Sequence, residues 1–104
     1  MNTKEMIQNS SLWAGLQKPG MKLEDADVVI FGIPYDGAVS FRGGASTAPD
    51  ELRNITYTID PTTEELEYFG DLKVVDVGNV DCTSQESFFQ EAETISRECA
   101  EKGK

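Results

Sequence analysis

The sequence predicts an α/β fold built on a parallel sheet. Three observations carry that prediction. Val28-Val29-Ile30-Phe31-Gly32-Ile33 is a continuous apolar run, the pattern of a strand covered on both faces. A second, shorter run around Val74, Val75 and Val77 repeats it. Each run is followed by a helix with its own start signals, so the order reads strand, loop, helix, strand, helix.

Residues 1–24 are a lead-in. Leu12, Trp13 and Leu16 predict one apolar face of a short helix, capped at Ser10 or Ser11 and ended by Lys18-Pro19-Gly20. The first strand spans Asp27 to Ile33, with Gly32 suggesting close backbone approach. Pro34 stops it, and a polar, glycine-bearing loop runs from Tyr35 to Ser46. The next helix starts near Thr47, read as its N-cap with Asp50 as capping-box partner. Pro49 is tolerated there, because first-turn N–H groups lack intrahelical partners. Leu52, Ile55 and Ile59 predict its packing stripe, and Asp60-Pro61 its end.

A polar connection, Thr62 to Asp71, carries Glu64, Glu65 and Glu67 as a solvated acidic patch. The second strand spans about Leu72 to Val77, with Gly78-Asn79 as a turn signal. Thr83 and Glu86 predict the cap of the last helix, whose stripe is Phe88, Ala92, Ile95 and Cys99. Gly103 suits its C′ position, with Lys102 facing the negative end of the helix dipole.

Composition narrows the function. The 104 residues make at most one domain, and 38% hydrophobic content supports a core. A formal net charge of −10 repels nucleic acid and anionic membranes, so neither is expected as a partner. No run approaches a membrane span and no signal-peptide pattern opens the chain. Cys82 and Cys99 read as reduced thiols of a cytoplasmic protein, not as a disulfide framework. There are 0 histidines, which removes the commonest general base and metal ligand.

The stretch Gly32 to Arg53, GIPYDGAVSFRGGASTAPDELR, resembles the N-terminal signature of the ureohydrolases, the arginase and agmatinase family. Gly32, Pro34, Asp36, Gly37, Ser40, Arg42, Gly44, Ala45, Pro49, Leu52 and Arg53 carry the match. Ala48 stands where that family usually has glycine. Asp71 to Val80, DLKVVDVGNV, is similar to its second-strand segment, with Asn79 in place of the usual aspartate. Tyr35 and the Asp36-Gly37 step look closer to agmatinases than to arginases.

The resemblance implies a three-layer αβα fold on a parallel sheet, of which this chain supplies about two βα units as the N-terminal part of a single domain. It also implies a binuclear Mn²⁺ site, where a metal-bridging hydroxide attacks a guanidinium carbon and releases urea. The motifs that hold those metals are absent, so no metal ligand and no catalytic residue is assigned within residues 1–104. A small cationic guanidino substrate and a trimeric or hexameric assembly are further implications. Tyr35, Asp36 and Arg42 are the candidate substrate-rim residues. For Asp36 the residues favour loop shaping through backbone N–H groups, and for Arg42 structural use.

The main expectation is therefore the N-terminal portion of an agmatinase-like enzyme, inactive by itself and continued past Lys104 by a further apolar strand. The alternative is a non-catalytic acidic α/β interaction module. A nucleotide-binding fragment ranks below both, since no phosphate-loop spacing is present.

Overall fold

The computed structural model describes residues 3–37, 43–56, 60–62, 64–68, 70–82 and 84–104. Its elements are α1 (Thr3–Met6), β1 (Val28–Gly32), α2 (Ala48–Thr56), β2 (Val74–Asn79) and α3 (Gln85–Glu101), with 3₁₀ turns at Leu23–Asp25 and Ala45–Thr47. The fold is α/β: β1 and β2 pair in parallel, and the helices pack around them.

The register runs Val28↔Val74, Val29↔Val75 and Ile30↔Asp76, then slips to Gly32↔Asn79. Two steps on β1 thus face three on β2, a bulge with its extra residue on β2. Gly78, at φ 89°, supplies the left-handed backbone there, and its N–H is taken by Asp76 Oδ1 at 2.9 Å. The Gly78-Asn79 pair expected as a turn is therefore the bulge inside a strand that begins and ends two residues later than expected.

The lead-in is not a helix over Leu12 to Leu16. Trp13 and Ala14 sit at φ 53° and 59°, outside the helical region. Each such residue stores on the order of 1 kcal/mol or more of strain, so tertiary bonds must hold it. Thr56 does so, accepting the Ala14 N–H at its carbonyl (3.0 Å) and the Trp13 N–H at its hydroxyl (2.9 Å). Leu12 and Leu16 are buried as expected of apolar anchors. Gln17 then bridges Val74 in parallel, so the lead-in contributes a one-residue third rung beside β2.

Helix α2 buries a different stripe from the one predicted. Leu52 is 54% exposed and Ile55 55%, whereas Arg53 is 1% exposed and Thr56 is also buried. Ile59 lies outside the described residues. The reason is a polar anchor on β2: the buried carboxylate of Asp76 draws Arg53 inward, and the helix rotates with it. The Thr47–Asp50 capping box is not formed either. Thr47 donates its hydroxyl to the Gly44 carbonyl, and Asp50 is committed to Thr3 and Arg53.

β1 is only half-covered: Val28 through Phe31 are exposed or half-buried and Gly32 alone is fully buried. Full cover on both faces, as predicted, requires neighbours that the described residues do not provide. Helix α3 follows expectation more closely. Its cap is Ser84, which accepts the Ser87 N–H at 3.1 Å, while Thr83 lies outside the described residues. Phe88 is buried, and Ala92, Ile95 and Cys99 are half-buried on the same face. The helix ends in a Schellman motif, with Lys104 N–H on Cys99 O (2.8 Å), Gly103 N–H on Ala100 O (3.1 Å) and Gly103 at φ 75°. Among the described residues no helix is long and apolar enough to cross a membrane.

Candidate functional site

The carboxyl ends of β1 and β2 carry two polar assemblies. The first is the loop after β1. The Asp36 carboxylate reaches across eight positions to accept the Gly44 N–H at 2.7 Å and the Ser46 hydroxyl at 3.3 Å. The Gly44 N–H bond, helped by Ser46, holds the Asp36 pKa below the ordinary carboxylate value. Gly44 can present its N–H this way because it stands at φ 115°, a conformation open chiefly to glycine. Asp36 is thus the clasp of the loop, as its position after a strand-stopping proline suggested. Tyr35 turns the other way and packs its ring against Phe88 of α3, centroids 4.5 Å apart. Arg42 lies outside the described residues.

The second assembly is a buried ion network centred on Arg53 and Asp76. Arg53 Nε donates to Asp76 Oδ2 at 2.6 Å and Nη2 to Asp76 Oδ1 at 2.9 Å, a bidentate fork. Arg53 Nη1 donates to Asp50 Oδ1 (2.9 Å) and to Asn79 Oδ1 (2.6 Å). The Trp13 indole N–H completes Asp76 from the lead-in side at 2.9 Å, and the Thr3 hydroxyl meets Asp50 at 2.7 Å. Burial opposes the charge on Arg53, but the hydrogen bond and field of Asp76 more than compensate and raise its pKa. Burial likewise works against ionised Asp50; the bonds from Thr3 and Arg53 prevail and lower its pKa. No buried side-chain nitrogen or oxygen among the described residues lacks a partner.

The network explains three sequence features. Gly32 is required because Asn79 Oδ1 and Pro49 Cβ, the latter 2.8 Å from where a β-carbon would stand, fill its side-chain space. Asn79 serves as both acceptor for Arg53 and, through Nδ2 at 3.4 Å, donor toward Asp50, a double role that aspartate lacks at neutral pH. Asp76, an acidic residue inside the run Val74 to Val77, was the one available signal: a carboxylate in a buried strand requires a cation. Thr56 and Gln17 gave no such signal.

A cleft of about 410 Å³ opens between β1 and α2, lined by Trp13, Phe31, Ile33, Tyr35 and Leu52 among others. The donor set does not fit a binuclear metal centre. The Asp36, Asp50 and Asp76 carboxylates are each occupied by N–H, hydroxyl or guanidinium donors. Among the described residues no three Asp, Glu or Cys side chains converge. Burial, then the Asp81 and Glu91 carboxylates, raise the Cys82 thiol pKa, which disfavours the thiolate.

A parallel βαβ unit with a clasped loop at its carboxyl edge defines the class of protein, an α/β domain. Residues 26–104 match the arginase family, and the chain belongs to that family. Over 66 residues it is 30% identical to the agmatinase of Pyrococcus horikoshii, a stretch covering 62% of this chain and 23% of that relative. The chain therefore spans well under half the length of the curated relative it matches. No solved structure matches it.

Proposed function

We propose that this chain is the N-terminal part of an agmatinase-type ureohydrolase, an enzyme that hydrolyses agmatine to putrescine and urea with bound manganese. The carrying observation is the clasped loop Tyr35–Ser46 at the carboxyl edge of a parallel strand, where α/β folds bind their ligands, in a chain of the arginase family. Identity to an agmatinase supports that member of the family over its arginases. In this reading Tyr35 and Arg42 lie at the substrate rim, and Asp36 contributes by fixing the loop. The manganese ligands come from parts of the enzyme outside residues 1–104. The cationic substrate is consistent with a chain of formal net charge −10. A cytoplasmic trimer or hexamer completes the proposal.

The test is to express the whole reading frame that encodes this chain, supply Mn²⁺, and measure urea release from agmatine, arginine and 4-guanidinobutyrate. Agmatine is expected to be the preferred substrate. Absence of urea from all three, or a frame ending at Lys104, would overturn the proposal and leave the acidic interaction module.

A further inference from the structure

Asp36-Gly37 is the one Asp-Gly step in the 104 residues. Such a step carries chemistry of its own, because a glycine nitrogen with no side chain beside it can attack the Cγ of the aspartate before it. The loop holds each residue in place for a separate reason. Asp36 supplies the carboxylate that accepts the Gly44 N–H at 2.7 Å and the Ser46 hydroxyl at 3.3 Å. Gly37 leaves room for Tyr35: a β-carbon there would stand 2.6 Å from the Tyr35 hydroxyl and 2.7 Å from its Cζ. Phe88 braces that ring, centroids 4.5 Å apart, so moving it aside gives up the contact.

The reaction needs only the chain and water. The Gly37 nitrogen bonds to Asp36 Cγ, and the nitrogen's proton leaves with the carboxyl hydroxyl as water, which closes a succinimide ring. Water then adds to either ring carbonyl. Opening at one carbonyl restores aspartate. Opening at the other routes the main chain through Cγ, which is isoaspartate. Gly37 is exposed, so water reaches the ring.

The clasp works against the first step in two ways. Gly44 and Ser46 both hold Asp36 Oδ2, so Cγ is not free to swing onto the Gly37 nitrogen. The Gly44 N–H also favours the ionised form, and a carboxylate is a poorer target for an amide nitrogen than a carboxylic acid. Burial adds little, since Asp36 is only half-buried. The fraction of time the clasp stands open therefore sets the rate.

We propose that Asp36-Gly37 is a modification site, converting to isoaspartate by way of a succinimide, and that the Asp36–Gly44 clasp holds the conversion back. The product loses its reach to Gly44. Its carboxylate sits directly on Cα, one methylene shorter, and its main chain is one atom longer. A converted molecule has lost the bond that shapes the loop after β1. The proposal is independent of the reaction the protein catalyses.

The test is to age the protein from the whole reading frame in neutral buffer and to quantify isoaspartate in the peptide that carries Asp36 by mass spectrometry. Isoaspartate is expected to form at least about tenfold more slowly in the folded protein than in guanidinium chloride, since a hydrogen bond to a charged group biases the clasp shut by that order. Gly44→Ala meets no atom within 4 Å but must hold φ +115°, so it is expected to raise the folded rate several-fold toward the unfolded one. Gly43→Ala, with no positive φ, should match the parent. Ser46→Ala removes the second donor without touching the backbone and should raise the rate at an unchanged melting temperature. It decides the question if circular dichroism shows Gly44→Ala to be unfolded. Equal rates in folded and unfolded protein would overturn the proposal. So would a folded rate that neither Gly44→Ala nor Ser46→Ala raises, or no isoaspartate at Asp36 even in guanidinium chloride.

Discussion

Arg53 and Asp76 face each other as a bidentate pair with side chains 1% and 0% exposed, and this contact fixes helix α2 on strand β2. The residues are 23 positions apart, so the pair closes the βαβ unit from inside. Removing one partner leaves a buried charge without its counter-ion. Arg53→Met is expected to destabilise the protein by about 3–5 kcal/mol, and Asp76→Leu by a similar amount. The double variant Arg53→Met/Asp76→Leu is expected to recover much of that loss, because no lone charge remains. Denaturant unfolding of all three variants checks it, and additive losses in the double variant would count against the pairing.

The Asp50 carboxylate gives the network a pH dependence. Its folded pKa lies below the ordinary value of 3.8. A depressed carboxylate contributes stability above the unfolded pKa and loses it as pH falls through the folded one. Acid destabilisation from this group is therefore expected below about pH 4. Asp50→Asn should show a shallower loss of melting temperature in that range than the parent. Parallel profiles would mean that Asp50 is not held by Thr3 and Arg53 in solution.

Gly43 and Gly44 are adjacent but not equivalent. At Gly44 nothing lies within 4 Å of an added β-carbon, yet φ is +115°, so strain and not space forbids a side chain. At Gly43 the nearest atom is Asp36 Oδ2 at 3.6 Å, an ordinary contact, with no positive φ. Gly44→Val is expected to cost upward of about 1 kcal/mol, while Gly43→Ala stays within about 0.5 kcal/mol. Equal melting temperatures for the two variants would show that the loop does not need its left-handed residue.

The stripe on α3 is graded. Phe88 is buried against Tyr35, whereas Ile95 is half-buried in mid-helix. Phe88→Ala is expected to cost about 3 kcal/mol or more, and Ile95→Ala clearly less. The reverse order, read from thermal melts, would show that mid-helix burial holds α3 and not its first turn.

The elements written in local pattern were legible. Continuous apolar runs placed both strands, and the 3.6-residue spacing placed α3 with its less exposed face. Gly103 marked the Schellman end, and Asp36 the loop it shapes, because these bonds join residues at most eight positions apart. The motif matches at Gly32–Arg53 and Asp71–Val80 carried the family. Tertiary structure alone decided the rest. Trp13 and Ala14 leave the helical region because Thr56 and Asp76, far along the chain, bind them there. The Gly78 bulge exists only opposite β1. On α2, hydrophobic periodicity favoured burying Leu52 and Ile55, but Arg53 went inside. Periodicity weighs apolar area alone. Leaving the Asp76 carboxylate buried on β2 without its guanidinium would be costly, and nothing in the pattern of α2 itself shows that this carboxylate faces the helix.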